Sequence, residues 1–136
     1  MSLRVAVTVV VGSALLLVGS GCGKSKVTQC NLLIDKVNAT SEALKKAPDP
    51  KDDATARAYA EVLKKQSAEV TTVELEDVTL KGFRDTLSKA LDDQASGLKA
   101  IADAPGEPKP EDLAKLDASK AVLEKLTGSI NGYCQG

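Results

Sequence analysis

The sequence predicts an all-α fold, an up-down-up-down antiparallel four-helix bundle. Ala, Leu, Lys, Glu and Asp dominate the chain beyond residue 22, and this composition favours helices. Only 2% of the residues are aromatic, so the alternating β-branched and aromatic pattern of strands is missing. Apolar residues recur at spacings of three and four in four successive segments with short connections, and 136 residues suit one such domain.

The first two helices are predicted from their apolar stripes and from the prolines between them. The first covers 28–46, and Pro48 and Pro50 follow it and prevent its continuation. The second covers 50–72, with Asp49 as its N-cap and Pro50 at its first helical position. Its stripe consists of Tyr59, Leu63, Gln66, Val70 and Val73.

The boundary between the second and third helices carries no glycine or proline. We predict a third helix over 78–102 with Asp77 as its N-cap, the alternative being one long helix over 50–102. Three prolines and a glycine then mark a loop within 105–110. The fourth helix is predicted over 110–133. Its stripe consists of Leu116, Ser119, Leu123, Leu126, Ile130 and Tyr133.

The N-terminal segment is typical of an export signal. Arg4 precedes an apolar run over 5–18, which is shorter than the roughly 20 residues of a membrane-spanning helix. Small residues at 19–21 follow the run, as they do before a signal-peptidase site. The complete prediction is therefore a signal helix, removed as residues 1–21, in front of the bundle.

The segment Val18-Gly19-Ser20-Gly21-Cys22 resembles the lipobox of bacterial lipoproteins, with Gly19 in the place of the usual aliphatic residue. The resemblance implies that Cys22 receives diacylglycerol and that the new amino terminus is acylated with a fatty acid such as palmitate. Residues 22–28 would then be a lipidated tether, and 29–136 the bundle domain. The alternatives are a plain secretory signal, which would leave an ordinary Cys22 thiol, and an uncleaved anchor.

The same resemblance implies a place in the cell envelope, anchored to a membrane and facing the periplasm or the cell surface. Gly23 differs from the aspartate of the common inner-membrane retention signal, whereas Lys24-Ser25 resembles a retention signal of some bacteria. On balance this favours the outer membrane.

The sequence contains three cysteines, and lipid at Cys22 would leave Cys30 and Cys134 as a pair. An exported compartment permits disulfides. An even number of antiparallel helices places the start of the first helix beside the end of the fourth, so we predict a Cys30–Cys134 disulfide. The alternatives are two buried free thiols and a Cys22–Cys30 pair, which would exclude the lipid.

The residues available exclude several kinds of chemistry. No histidine is present, so the chain has no imidazole base and no histidine-built metal or haem site. The acidic clusters 74–77 and 92–93 are interpreted as solvated surface, and we predict no catalytic, metal-binding or cofactor-binding residues. The 18 basic and 19 acidic residues are interspersed, which indicates no nucleic-acid partner.

We therefore predict a lipid-anchored, non-catalytic helical module that binds or scaffolds other envelope components, with the membrane and an envelope protein as its partners. One alternative function is the carriage of a small apolar ligand between the helices. Another is that of a plain secreted periplasmic helical protein without lipid.

Overall fold

The computed structural model describes residues 23–136, which form four helices and no strand. The predicted signal helix and Cys22 lie outside these residues. The all-α prediction is confirmed, and the helices pack against one another as a helical bundle. The helices are α1 (Lys26–Lys46), α2 (Asp53–Thr71), α3 (Val78–Asp103) and α4 (Pro110–Gln135).

The break between α2 and α3 is confirmed, so one continuous helix over 50–102 is excluded. The chain is non-helical between Thr71 and Val78, and Asp77 has an extended backbone at φ −64° and ψ 124°. Its carboxylate accepts a hydrogen bond from the backbone N–H of Leu80 at 2.9 Å, as expected of an N-cap.

The start of α2 differs from the prediction, because Asp52 rather than Asp49 is the N-cap. Thr55 and Asp52 cap each other: the Asp52 carboxylate accepts from the Thr55 N–H at 2.8 Å, and the Thr55 hydroxyl oxygen accepts from the Asp52 N–H at 3.1 Å. This reciprocal pair satisfies two backbone donors at once. Helix formation therefore begins at Asp53, three residues after Pro50.

The core is built from aliphatic side chains of all four helices, as the composition predicts. Each fully buried leucine, isoleucine or valine contributes about 1.5–3 kcal/mol relative to an exposed one. Of the three large rings, only that of Tyr59 is fully in the core. The largest completely buried side chains are those of Leu33, Leu63, Leu80, Leu91, Ile130 and Val70.

The pairing of α2 with α3 is the most extensive in the bundle. Ser67 lies opposite Ser88 toward the end of α2, and the Ser67 hydroxyl is 2.8 Å from the Ser88 carbonyl oxygen. Farther along, Arg57 Nε lies 2.7 Å from the Asp103 carboxylate. No helix within residues 23–136 combines the length and the apolar content that crossing a membrane requires.

Candidate functional site

Cys30 and Cys134 form a disulfide that joins the second turn of α1 to the end of α4. Their Cα atoms lie 5.8 Å apart, within the range that such a bond requires. This is the pair predicted from the cysteine count and the number of helices. We call this end of the bundle the stapled end: Gly23–Cys30, the α2–α3 loop, the first turns of α3 and the last turn of α4.

Gln29 joins three segments at the stapled end and is only 4% exposed. Its Oε1 accepts hydrogen bonds from the backbone N–H groups of Glu76 and Asp77, at 2.5 and 2.8 Å. Its Nε2 donates to the Lys24 carbonyl oxygen at 2.7 Å. The amide thereby satisfies backbone groups that the α2–α3 loop leaves without helical partners. Sequence reasoning missed this residue, although its position four residues before Leu33 on the stripe could have indicated a buried amide.

Asp77 connects α3 with α4 as well as capping α3. The Tyr133 hydroxyl donates a hydrogen bond of 2.9 Å to its Oδ2. The hydrogen bond from the Leu80 N–H, assisted by the one from Tyr133, lowers the pKa of Asp77 below its ordinary 3.8. The Asp77 carboxylate is thus held in its charged form by groups from two helices.

The Tyr133 ring is in contact with two further side chains at the stapled end. The Phe83 ring meets it edge to face, with centroids 5.9 Å apart. The Lys26 ammonium lies 4.1 Å from the Tyr133 centroid, a cation–π distance. Both rings are partly buried and pack against the core at this end.

The segment before α1 lies against the α2–α3 loop. The Lys24 N–H donates to Glu76 at 3.3 Å, and its ammonium lies 3.6 Å from the Glu74 carboxylate. Ser25 caps α1 through a hydrogen bond from the Thr28 N–H at 3.2 Å. Helix α1 therefore begins at Lys26, inside the segment predicted as a tether, and the non-helical part that the structure describes is 23–25.

Four of the five carboxylates in the two acidic clusters interact with the protein itself. Glu74, Glu76 and Asp77 bind the N-terminal segment and Tyr133 as described above. Asp92 and Asp93 are exposed, and Asp93 pairs with Lys89 one turn earlier on α3. Within residues 23–136, no three His, Cys, Asp or Glu side chains are grouped so that they could hold a metal ion.

An open groove of about 770 Å³ runs along the outside of α3 and α4. Its lining comes mostly from outward-facing positions rather than from the apolar stripes of the core. Lys89 and Asp93 on α3 and Asp112 and Lys115 on α4 place both signs of charge around it. The floor is made of small side chains with one valine: Ala90, Gly97, Ala100, Ala118, Ser119 and Val122.

Two hydroxyl groups in the second half of α1 are buried without hydrogen-bond partners among the described residues. Thr40 and Ser41 are each 4% exposed, and both point away from solvent. An unsatisfied buried hydroxyl costs about 1–3 kcal/mol, so this part of α1 is less favourably packed than its disulfide-bonded part.

Comparison with known proteins adds no further assignment. No protein-family model matches the chain, and no curated protein or solved structure matches it.

Proposed function

We propose that this protein is a bacterial lipoprotein anchored through Cys22, whose helical domain binds or scaffolds other components of the cell envelope. Its topology is that of an up-down-up-down antiparallel bundle standing on that anchor. The domain performs no catalysis, and the membrane and an envelope protein are its partners.

The observation that carries the anchor is the disulfide. It uses two of the three cysteines and leaves Cys22, the one that follows Ser20-Gly21 in the lipobox-like segment. An exported protein with one remaining cysteine needs a use for its thiol, either an intermolecular disulfide or a reaction of the thiol. Diacylglyceryl transfer supplies that use, and it fits the apolar run that precedes the cysteine.

The contacts between helix ends support the antiparallel topology. Gln29 at the start of α1 reaches the loop after α2, and Tyr133 at the end of α4 reaches the start of α3. Arg57 near the start of α2 reaches Asp103 at the end of α3. The Gln29 contact brings the start of α1 beside the start of α3, and the other two each join the beginning of one helix to the end of its neighbour, as expected of alternating antiparallel helices.

The groove between α3 and α4 supports a protein partner. Small side chains on its floor allow a second backbone to approach closely. Lys89 and Asp93 are paired with each other, and Asp112 and Lys115 add charges of both signs that complement a polypeptide carrying both. A partner of one charge sign, such as nucleic acid, would be repelled by either Asp112 or Lys115. We assign the groove to a segment of an envelope protein.

The anchor is tested by comparing wild type with Cys22→Ser in membrane fractions, followed by intact-mass measurement. We expect membrane-bound wild type that lacks residues 1–21 and carries acyl chains, since two or more chains hold a protein firmly. The matched control is the double variant Cys30→Ala and Cys134→Ala, which loses the disulfide and should still be acylated. Soluble wild type with a free Cys22 thiol would contradict the proposal.

The partner is tested by placing a photo-crosslinking amino acid at Ala118, inside the groove, or at Ala121, an exposed alanine of α4 outside it. Irradiation of intact cells should give a discrete crosslinked protein from position 118 and none from 121. Equal yields from both positions, or no crosslink at either, would count against the groove as the binding surface.

A second candidate, a carrier of a small ligand, is favoured by Thr40 and Ser41. Their two buried hydroxyls could bind the polar end of an otherwise apolar molecule held between helices. Native mass spectrometry of membrane-purified protein distinguishes the candidates. A carrier shows a bound molecule that is lost in Thr40→Val, whereas the binding module shows the mass of the acylated chain alone.

A further inference from the structure

Two valines stand exposed at the stapled end. Val78, the first residue of α3, is 81% exposed, the most of any large apolar side chain in residues 23–136. Val27, in the first turn of α1, is 45% exposed. Both helices begin at the stapled end, because Gln29 of α1 binds the residues immediately before α3. Neither valine belongs to the buried core.

The attachment point of the lipid is one residue away from this surface. Gly23 is the first described residue, with φ at +132°, and a Cβ at its position would lie 3.0 Å from Glu76 Oε2. Lys24 is bound to Glu74 and Glu76. Consecutive Cα atoms are about 3.8 Å apart, so lipid on Cys22 would lie within one residue of the α2–α3 loop.

We infer that the stapled end docks directly on the lipid surface, with Val27 and Val78 inserted at the boundary between headgroups and acyl chains. The inference rests on the proposed lipidation of Cys22. The chain between the lipid-bearing residue and the bundle is too short to act as a free tether that would hold the bundle away from the bilayer. The opposite end, where α4 begins, then points away from the membrane and presents the groove beside it to envelope partners.

Lys24 and Lys26 at the stapled end are engaged within the protein, so the contact with the bilayer is apolar rather than electrostatic. Lys24 is paired with Glu74, and Lys26 lies over the Tyr133 ring. The two cations nearest the attachment point are therefore already engaged within the protein. A surface that binds anionic headgroups needs a cluster of free lysines or arginines, and its binding weakens with salt. The docking here depends on neither anionic lipid nor low salt.

The test uses single tryptophans, because the sequence contains none. Val78→Trp reports on the stapled end. Leu113→Trp is the matched control, since Leu113 is 39% exposed in the first turns of α4 at the opposite end. Each processed protein is purified from membranes and reconstituted into phosphatidylcholine vesicles whose acyl chains carry bromine near the headgroup. Circular dichroism establishes that both variants are folded.

We expect bromine to reduce the emission of Val78→Trp and to leave that of Leu113→Trp unchanged. The same result should hold in vesicles with phosphatidylglycerol and at high salt. Equal quenching at both positions, or quenching at neither in protein that floats with the vesicles, would overturn the docking. Quenching that requires anionic lipid would overturn the apolar contact. Failure of the anchor itself is recognised separately, by an intact mass without acyl chains and by protein that does not float.

Discussion

The two ends of the bundle are held together in different ways. At the stapled end, a disulfide joins α1 to α4, Gln29 joins α1 to the α2–α3 loop, and Tyr133 joins α4 to α3. At the opposite end, Arg57 makes all the polar contacts between helices that the described residues contain, to Asp103 and to the Ala102 carbonyl oxygen. Covalent and hydrogen-bonded links are therefore concentrated where the chain approaches Cys22.

Helix α1 shows the difference within one element. Its first half carries the disulfide and Gln29, and Lys36 pairs with Glu69 of α2 at 2.9 Å. In its second half no side chain makes a polar contact with another helix among the described residues, and Thr40 and Ser41 are buried without partners. Regions with few satisfied contacts open at lower free energy. The comparison indicates that the half of the bundle with the disulfide and the satisfied polar groups opens less readily than the half without them.

Removal of the disulfide should have the largest effect. The bond spans 104 positions, and the chain-entropy model gives about 4–5 kcal/mol for a loop of that size. We expect the double variant Cys30→Ala and Cys134→Ala to lose several kcal/mol in the free energy of unfolding, measured with urea. Reduction of wild type should produce a similar loss. A loss below about 1 kcal/mol would mean that the other contacts of the stapled end suffice.

Gln29→Leu should have the next largest effect, about 2–3 kcal/mol of destabilisation, because two buried N–H groups lose their acceptor. Gln66→Leu is the matched control. Gln66 is 6% exposed and makes no side-chain hydrogen bond within residues 23–136, so its replacement should cost less. Equal losses in urea unfolding would show that burial, and not the bridge between α1 and the loop, explains the effect of Gln29.

Thr40→Val should stabilise the far half of the bundle by about 1 kcal/mol, since it removes an unsatisfied hydroxyl at nearly constant volume. Thr127→Val is the control, because the Thr127 hydroxyl donates to the Leu123 carbonyl oxygen at 3.2 Å. Thermal melts of the two variants should therefore shift in opposite directions, or only that of Thr40→Val should rise. A drop in the melting temperature of Thr40→Val would show that its hydroxyl is satisfied in solution.

The smallest expected effect is a difference between the two ends in how the melting temperature responds to acid and to salt. The pKa of Asp77 is lowered by the Leu80 N–H and then by Tyr133, and the pKa of Asp103 is lowered by its hydrogen bonds to Arg57 and then to Lys99. A carboxylate whose pKa is lowered in the folded state stabilises the fold at pH values above its ordinary pKa of 3.8. That stabilisation is lost as the pH falls through the folded-state pKa. Both Asp77→Asn and Asp103→Asn should therefore flatten the fall of the melting temperature below that pH.

Salt should distinguish these two variants. Asp103 is held by ion pairs, which salt screens, whereas Asp77 is held by a backbone N–H and a tyrosine hydroxyl, which salt affects little. High salt should therefore reduce the effect of Asp103→Asn and leave that of Asp77→Asn. Equal salt dependence at the two sites, in melts from pH 2 to 6, would remove the distinction between the ends.

Much of the helical framework could be predicted from local sequence. The break after Thr71 and the cap at Asp77 depend on residues within one turn of each other, and both are in the structure. The N-cap of α2 lies three residues after the predicted Asp49, because Asp49 and Asp52 both precede helix-forming sequence. The Thr55 side chain decides between them, because its hydroxyl oxygen accepts hydrogen bonds from the backbone N–H groups of Lys51 and Asp52.

The site at the stapled end was only partly predictable. Cysteine parity and an even number of helices are enough to predict the Cys30–Cys134 pair. Nothing in the chain's periodicity indicates that Tyr133 would meet Asp77, 56 positions away, or that Gln29 would meet Glu76. Such pairs depend on the register between helices, which no single helix contains.

The sequence by itself determined four helices, their apolar stripes, the break between α2 and α3, and the cysteine that the disulfide leaves over. Those properties arise from helix propensity and residue spacing, which act within a turn or two, and from the number of cysteines, which belongs to the whole chain. Only the tertiary structure decided which buried polar groups find partners, as Gln29 does and Thr40 does not. The physical reason is that packing sets the rotation and register of each helix, and a shift of one residue along a helix would turn either side chain about 100° away.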